Sequence, residues 1–263
     1  RWFLVLNGIV GPLLLGGAVA TFFDGSNFLV SKANITDSLQ PVISRWANAS
    51  NGLDALLDIW NVLFGLSVFF LARVLGALYI LNNVADDVLR QRCRRQVLGN
   101  VGAFLILFLT YFVRTLLKDG YAYDPLTGTI AMEPYKYLHN LLTMWPLLVL
   151  FVIGVGLLLY GVIRTVCSKV YVKGIWPAGI GVVLVVLVLL LITGWNNTAY
   201  YPSNADLQSS LTIVNSSSSK FTLTVMFYVS LLVPVVLAYI WYAWRQIDRH
   251  KLTRQEIKEG EAY

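Results

Sequence analysis

The sequence is poor in charged residues, in histidine and in cysteine, and each shortage excludes a class of protein. Charged residues make up 13% of the 263 positions, about half of their share in an average soluble protein. This composition argues against a soluble domain. Two histidines and two cysteines are too few for a convincing paired haem or thiolate metal site. No Ser/His/Asp or Cys/His set and no glycine-rich nucleotide loop stands out either.

Long apolar runs are what the sequence has in abundance. Apolar residues make up 57% of the chain, and the mean hydropathy is +0.66. Six runs are long enough to cross a hydrocarbon core, which takes about 20 helical residues. Because helices satisfy their own backbone in lipid, we expect an all-α polytopic membrane helix bundle that forms one membrane domain over residues 1–263. The predicted helices run over about 2–23, 57–81, 97–117, 141–163, 175–194 and 221–244, with a tail at 245–263.

Lysine and arginine are distributed unevenly between the connecting segments. Thirteen lie at the predicted inner side, and five lie in the three other loops. The positive-inside rule therefore predicts that both ends are cytoplasmic, as an even number of spans also requires. The net charge of +6 is thus explained by topology and by anionic lipid heads, not by nucleic acid. Cys93 and Cys167 fall on the cytoplasmic side and should be reduced thiols. The thirteen basic residues lie in 82–96, in 164–174, in the tail and at Arg1.

Two arginines interrupt the apolar runs. Arg73 lies roughly nine residues, or about 13 Å, from the inner end of its predicted helix. An arginine at mid-helix costs about 2.5–3.5 kcal/mol on insertion scales. Snorkelling would recover part of this cost, but at this depth we expect a partner, a polar cavity, or the head group of a lipid or quinone. Arg114 lies close to the outer end of its helix, where snorkelling is expected to suffice.

Other unusual residues have ordinary explanations. His139 lies at the outer entrance of the fourth predicted helix, where a capping or head-group contact is expected rather than haem ligation. His250 lies in the tail.

Prolines are expected to interrupt helices, and glycines to provide small faces for close helix approach. The prolines are Pro12, Pro146, Pro177 and Pro234, and the glycines are Gly8, Gly11, Gly16, Gly154, Gly156, Gly174 and Gly179.

The later part of the sequence resembles the end of subunit II of cytochrome bd quinol oxidase. The family joins its last two helices through a loop rich in Ser, Leu and Thr, and residues 196–224 have this character. Residues Gly8–Gly25, which end in Phe22-Phe23-Asp24-Gly25, resemble the family's fourth helix and the loop after it. Residues 132–140 resemble versions from Bacteroidetes-type bacteria. The segments that carry the resemblance at the C-terminal end are Asn196–Ser203, Leu207–Ile213, Asn215–Thr224, Val233-Pro234, Tyr239–Arg245 and Lys251–Lys258.

The resemblance implies a non-haem subunit of a quinol:dioxygen oxidoreductase in the respiratory chain of a bacterial inner membrane. Family members have nine helices, so the six here would be the last six. The resemblance further implies a partner, subunit I, that carries the b-type and d-type haems. This chain would then support assembly and the access of quinone, protons and oxygen, with no active site and no directly bound cofactor. Small accessory subunits, lipid and a structural quinone are further candidates, with Arg73 as the candidate contact.

Two other functions remain open. A small-solute transporter or channel would be expected to carry polar pairs near broken helices, and only Arg73 meets this requirement. A eukaryotic six-span glycoprotein would use Asn-X-Ser/Thr triplets as glycan acceptors, although such triplets also arise by chance in polar loops. These triplets begin at Asn34, Asn48, Asn196 and Asn215.

Overall fold

The computed structural model describes residues 2–31, 42–168 and 170–247. Arg1, Asn34, Lys169, His250 and the basic residues from Arg249 onward lie outside this part. By length and composition, six helical stretches of the described residues could each cross a membrane, which confirms the predicted all-α membrane bundle. The helices are α1 Trp2–Asp24, α2 Ile59–Asn83, α3 Asp87–Leu117, α4 Lys136–Thr143, α5 Trp145–Cys167, α6 Ile175–Gly194, α7 Ile213–Ser216, α8 Lys220–Ser230 and α9 Val233–Ile247.

The outer end of the bundle is defined here as the end at which α1 and α3 finish and α2 begins. The opposite end is the inner end. Asp58 starts α2 by accepting hydrogen bonds from the backbone amides of Trp60 and Asn61 at 2.8 and 3.2 Å. Asp86 starts α3 by accepting one from the amide of Leu89 at 3.0 Å. Such caps satisfy amides that have no partner within the helix.

The start of α3 differs from the prediction. It lies at Asp87, so most of the predicted 82–96 loop is helical and α2 turns into α3 within a few residues. The apolar run marks only the part of the helix that lies in lipid, whereas a capped helix can continue into water with charged residues. The first turns of α3 therefore extend beyond the predicted membrane boundary.

The fourth predicted helix is two helices, α4 and α5, separated at Met144. Pro146 lies in the first turn of α5, where its missing N–H removes no helical bond. Pro177 likewise lies in the first turn of α6. The prediction that prolines interrupt helices is therefore wrong for Pro177, and for Pro12, which lies inside the continuous α1. Pro146 follows the break at Met144. The last span is indeed divided, into α8 and α9, and Pro234 follows the break.

Glycines let the long helices approach backbone to backbone. A Cβ added to Gly65 of α2 would lie 2.6 Å from the carbonyl oxygen of Leu13 in α1. Between α5 and α6, a Cβ on Gly181 would lie 2.4 Å from the carbonyl oxygen of Gly154. Close approach of this kind drives helix association in lipid, where apolar burial gives little. Of the predicted glycines, Gly16, Gly154 and Gly174 lie at such contacts, whereas Gly8, Gly156 and Gly179 face open space.

The outer loops form a layer with two short hairpins. β1 (Phe28–Ser31) pairs antiparallel with β2 (Ile43–Trp46), and β3 (Gly120–Tyr123) pairs antiparallel with β4 (Ile130–Glu133). The loop after α6 packs on them. The Gln208 side chain accepts a hydrogen bond from the Ile130 amide and donates one to its carbonyl, at 3.0 and 2.8 Å. The long outer loops are thus packed on one another.

The glycine contact between α5 and α6 predicts a sharp difference between two neighbouring substitutions. Gly181→Ala places a Cβ against the Gly154 carbonyl and should lower the free energy of unfolding by about 1–3 kcal/mol through overpacking. Gly179→Ala, on the open side of α6, should leave it unchanged or raise it slightly. Thermal unfolding in detergent compares the two. Equal melting temperatures for both variants would show that the helices do not approach as described.

Candidate functional site

Arg73, the residue singled out from the sequence, lies on an exposed face of α2. Its Nη2 donates a hydrogen bond to Oε1 of Gln96 in α3 at 3.4 Å. Its guanidinium also lies 5.6 Å from the centre of the Phe69 ring. A guanidinium has five N–H donors, so most of its hydrogen-bonding capacity is available to another group.

The packing of α2 on α3 shows which way the Arg73 side chain runs. Phe64 and Tyr111 face each other with ring centres 4.6 Å apart. In an antiparallel pair, Arg73 is then level with about Gly102, and Gln96 lies six residues nearer the inner end, or about 9 Å. The side chain therefore extends toward the inner end and its arginines, as a snorkelling residue does.

A second polar cluster lies at the outer end, where Asp24 ties α1 to α3. Its side chain is only 7% exposed. Arg114 Nη1 and Lys118 Nζ both pair with Oδ1 of Asp24, the lysine at 2.7 Å. The Tyr111 hydroxyl donates to Oδ2 at 2.9 Å. The prediction that snorkelling accounts for Arg114 is therefore wrong, because its guanidinium is paired with a buried carboxylate and lies 4.6 Å from the Trp60 ring centre.

The cluster is a structural tie between the outer ends of α1 and α3. Lys118 Nζ also donates to the carbonyl oxygen of Phe23 at 2.6 Å, which fixes its position. Burial lowers the pKa of the Lys118 ammonium, while the Asp24 carboxylate opposes that shift. Burial also raises the pKa of the nearby Tyr121 and Tyr137 hydroxyls, so both remain protonated. The arrangement holds charge in place where the ends of α1 and α3 meet.

His139 lies on α4, outside the six candidate spans. Its Nδ1 lies 3.0 Å from Oε1 of Glu133, whose Oε2 pairs with Lys136 Nζ at 2.8 Å. Burial raises the pKa of Glu133, but the hydrogen bonds from Lys136 and His139 outweigh this effect and the pKa is lowered. The ring is 60% exposed. Glu133 thus links His139 to Lys136 in the outer layer.

The cysteines and the possible metal ligands of the described residues are the remaining candidates for a reactive site. Cys93 and Cys167 are free. Over residues 2–31, 42–168 and 170–247, no three His, Cys, Asp or Glu side chains are placed to share a metal ion.

Two cavities lie in different layers. One of about 670 Å³ lies in the outer layer between the β1–β2 hairpin and the loop after α6, with Phe28 and Tyr201 in its wall and Arg45 among its lining residues. The other is a void of about 50 Å³ inside the bundle, with a wholly apolar accessible surface that includes Phe64 and Phe104.

A family model and curated relatives both identify the same kind of protein. A family model described as cytochrome bd terminal oxidase subunit II matches residues 1–247. Among curated proteins, the chain is similar to cytochrome bd-I ubiquinol oxidase subunit 2 of Escherichia coli K12 and of Escherichia coli O157:H7. In both cases the identity is 25% over 272 residues, which covers 98% of this chain and 67% of the relative.

Asp24 was not a candidate from the sequence alone, and its contacts predict a large effect of substitution. Asp24→Asn removes the carboxylate from two cations that are 30% and 17% exposed, and should lower the free energy of unfolding by about 3 kcal/mol. The matched control is Asp87→Asn. That carboxylate is fully exposed and 3.9 Å from Arg90, so its loss should leave the melting temperature nearly unchanged. Similar melting temperatures for the two variants would contradict the assignment.

Proposed function

The chain belongs to the subunit II family of cytochrome bd terminal oxidases, and we propose that it is the non-haem subunit of a quinol:dioxygen oxidoreductase complex in a bacterial inner membrane. The observation that carries this proposal is the family match over residues 1–247. The similar Escherichia coli proteins are named as subunits of a ubiquinol oxidase. The transporter alternative is not favoured, because the match belongs to a different class of protein.

The proposed partner is the haem-bearing subunit I. Much of the apolar surface of the described helices is uncovered, and none of the most apolar window of residues 220–247 is buried. The contact between this last span and the bundle includes an edge-to-face pair of Tyr79 with Trp244, at 6.5 Å between ring centres. Such faces support a role in bracing another membrane subunit, although lipid can cover them too. Small accessory subunits would use the same surfaces.

The haems, which would carry electrons from quinol to dioxygen, are proposed to be held by the partner. The place of His139 supports this view, because α4 lies outside the six candidate spans. The small apolar void between α2, α3, α5 and α6 supports a contribution to oxygen access, since dry apolar cavities accept small apolar molecules. We assign no catalytic residue to this chain.

The chain is proposed to form a single membrane domain with both ends cytoplasmic. The unequal distribution of Lys and Arg supports this orientation. Arg92 and Arg95 are exposed in the first turns of α3 at the inner end, where they can meet anionic head groups.

Arg73 is proposed to hold the polar head group of a lipid or a structural quinone near the inner boundary. Arg73→Leu should insert normally, because a charge is removed from an apolar segment. The affinity for the bound head group should fall about fivefold, because one cation near the membrane surface contributes about 1 kcal/mol to such binding. The measurement is the amount of quinone and phospholipid that co-purifies with the complex. Arg73→Lys keeps a positive charge at the same position and is the control, which should retain the bound head group. Unchanged content in Arg73→Leu would favour simple snorkelling.

The subunit assignment predicts co-purification with a haem protein. An affinity tag on this chain should recover a partner with a haem Soret band, and the complex should melt at a higher temperature than the chain alone, because the partner binds only the folded form. The chain stripped of its partner should lack the band. A lone, monodisperse chain that melts as high as the complex would contradict the proposal. A Soret band that stays with the lone chain and disappears in His139→Ala would contradict the haem assignment.

A further inference from the structure

We draw no further inference here: the strongest candidate, the cavity of about 670 Å³ in the outer layer between the β1–β2 hairpin and the loop after α6, carries nothing, because the side chains of Ser209, Asn215 and Ser216 in its wall are bonded to neighbouring groups and nothing in the structure shows what fills it.

Discussion

The constraint on which this structure depends is that lipid offers no hydrogen-bond partner to the backbone. Every amide and carbonyl at membrane depth must be paired within the chain, and helices achieve this locally. The described residues follow the rule closely. The long apolar stretches are helical, while the hairpins and the loop after α6 lie in the outer layer. There, the Gln208 side chain accepts a hydrogen bond from a backbone amide, and the Ser203 hydroxyl donates one to the Phe28 carbonyl.

Once the helices exist, apolar burial cannot arrange them, because leucine is as well placed in lipid as in protein. Backbone contact and paired charge do so instead. Gly65 lets α1 approach α2, and Gly181 lets α6 approach α5. Asp24 then joins the outer end of α1 to α3. The last span, residues 220–247, contains no glycine, and none of its most apolar window is buried among the described residues.

The sequence could predict the helices and the family, because both depend on local patterns. Hydropathy identified six spans, and the polar loop of residues 196–224 carried the resemblance. The structure shows that this loop packs on the β3–β4 hairpin through Gln208. What could not be predicted is long-range pairing. Asp24 and Arg114 are separated by 90 residues, and no periodicity connects them. The helical start at Asp87 was missed because hydropathy follows the membrane, whereas the Asp86 cap determines where the helix begins.

The two ends of the bundle use charge in opposite ways. At the outer end, the carboxylates of Asp24 and Glu133 each pair with two basic groups. The charges there hold helices and loops against one another. At the inner end, Arg92 and Arg95 are exposed on α3 and remain available to head groups. Paired charge is insensitive to the side of the membrane on which it lies, whereas exposed arginine is attracted to anionic lipid. The first kind therefore determines the structure of the bundle, and the second kind supports the proposed orientation. Arg73 belongs to the second kind, since its side chain extends toward the inner end although its backbone lies deeper.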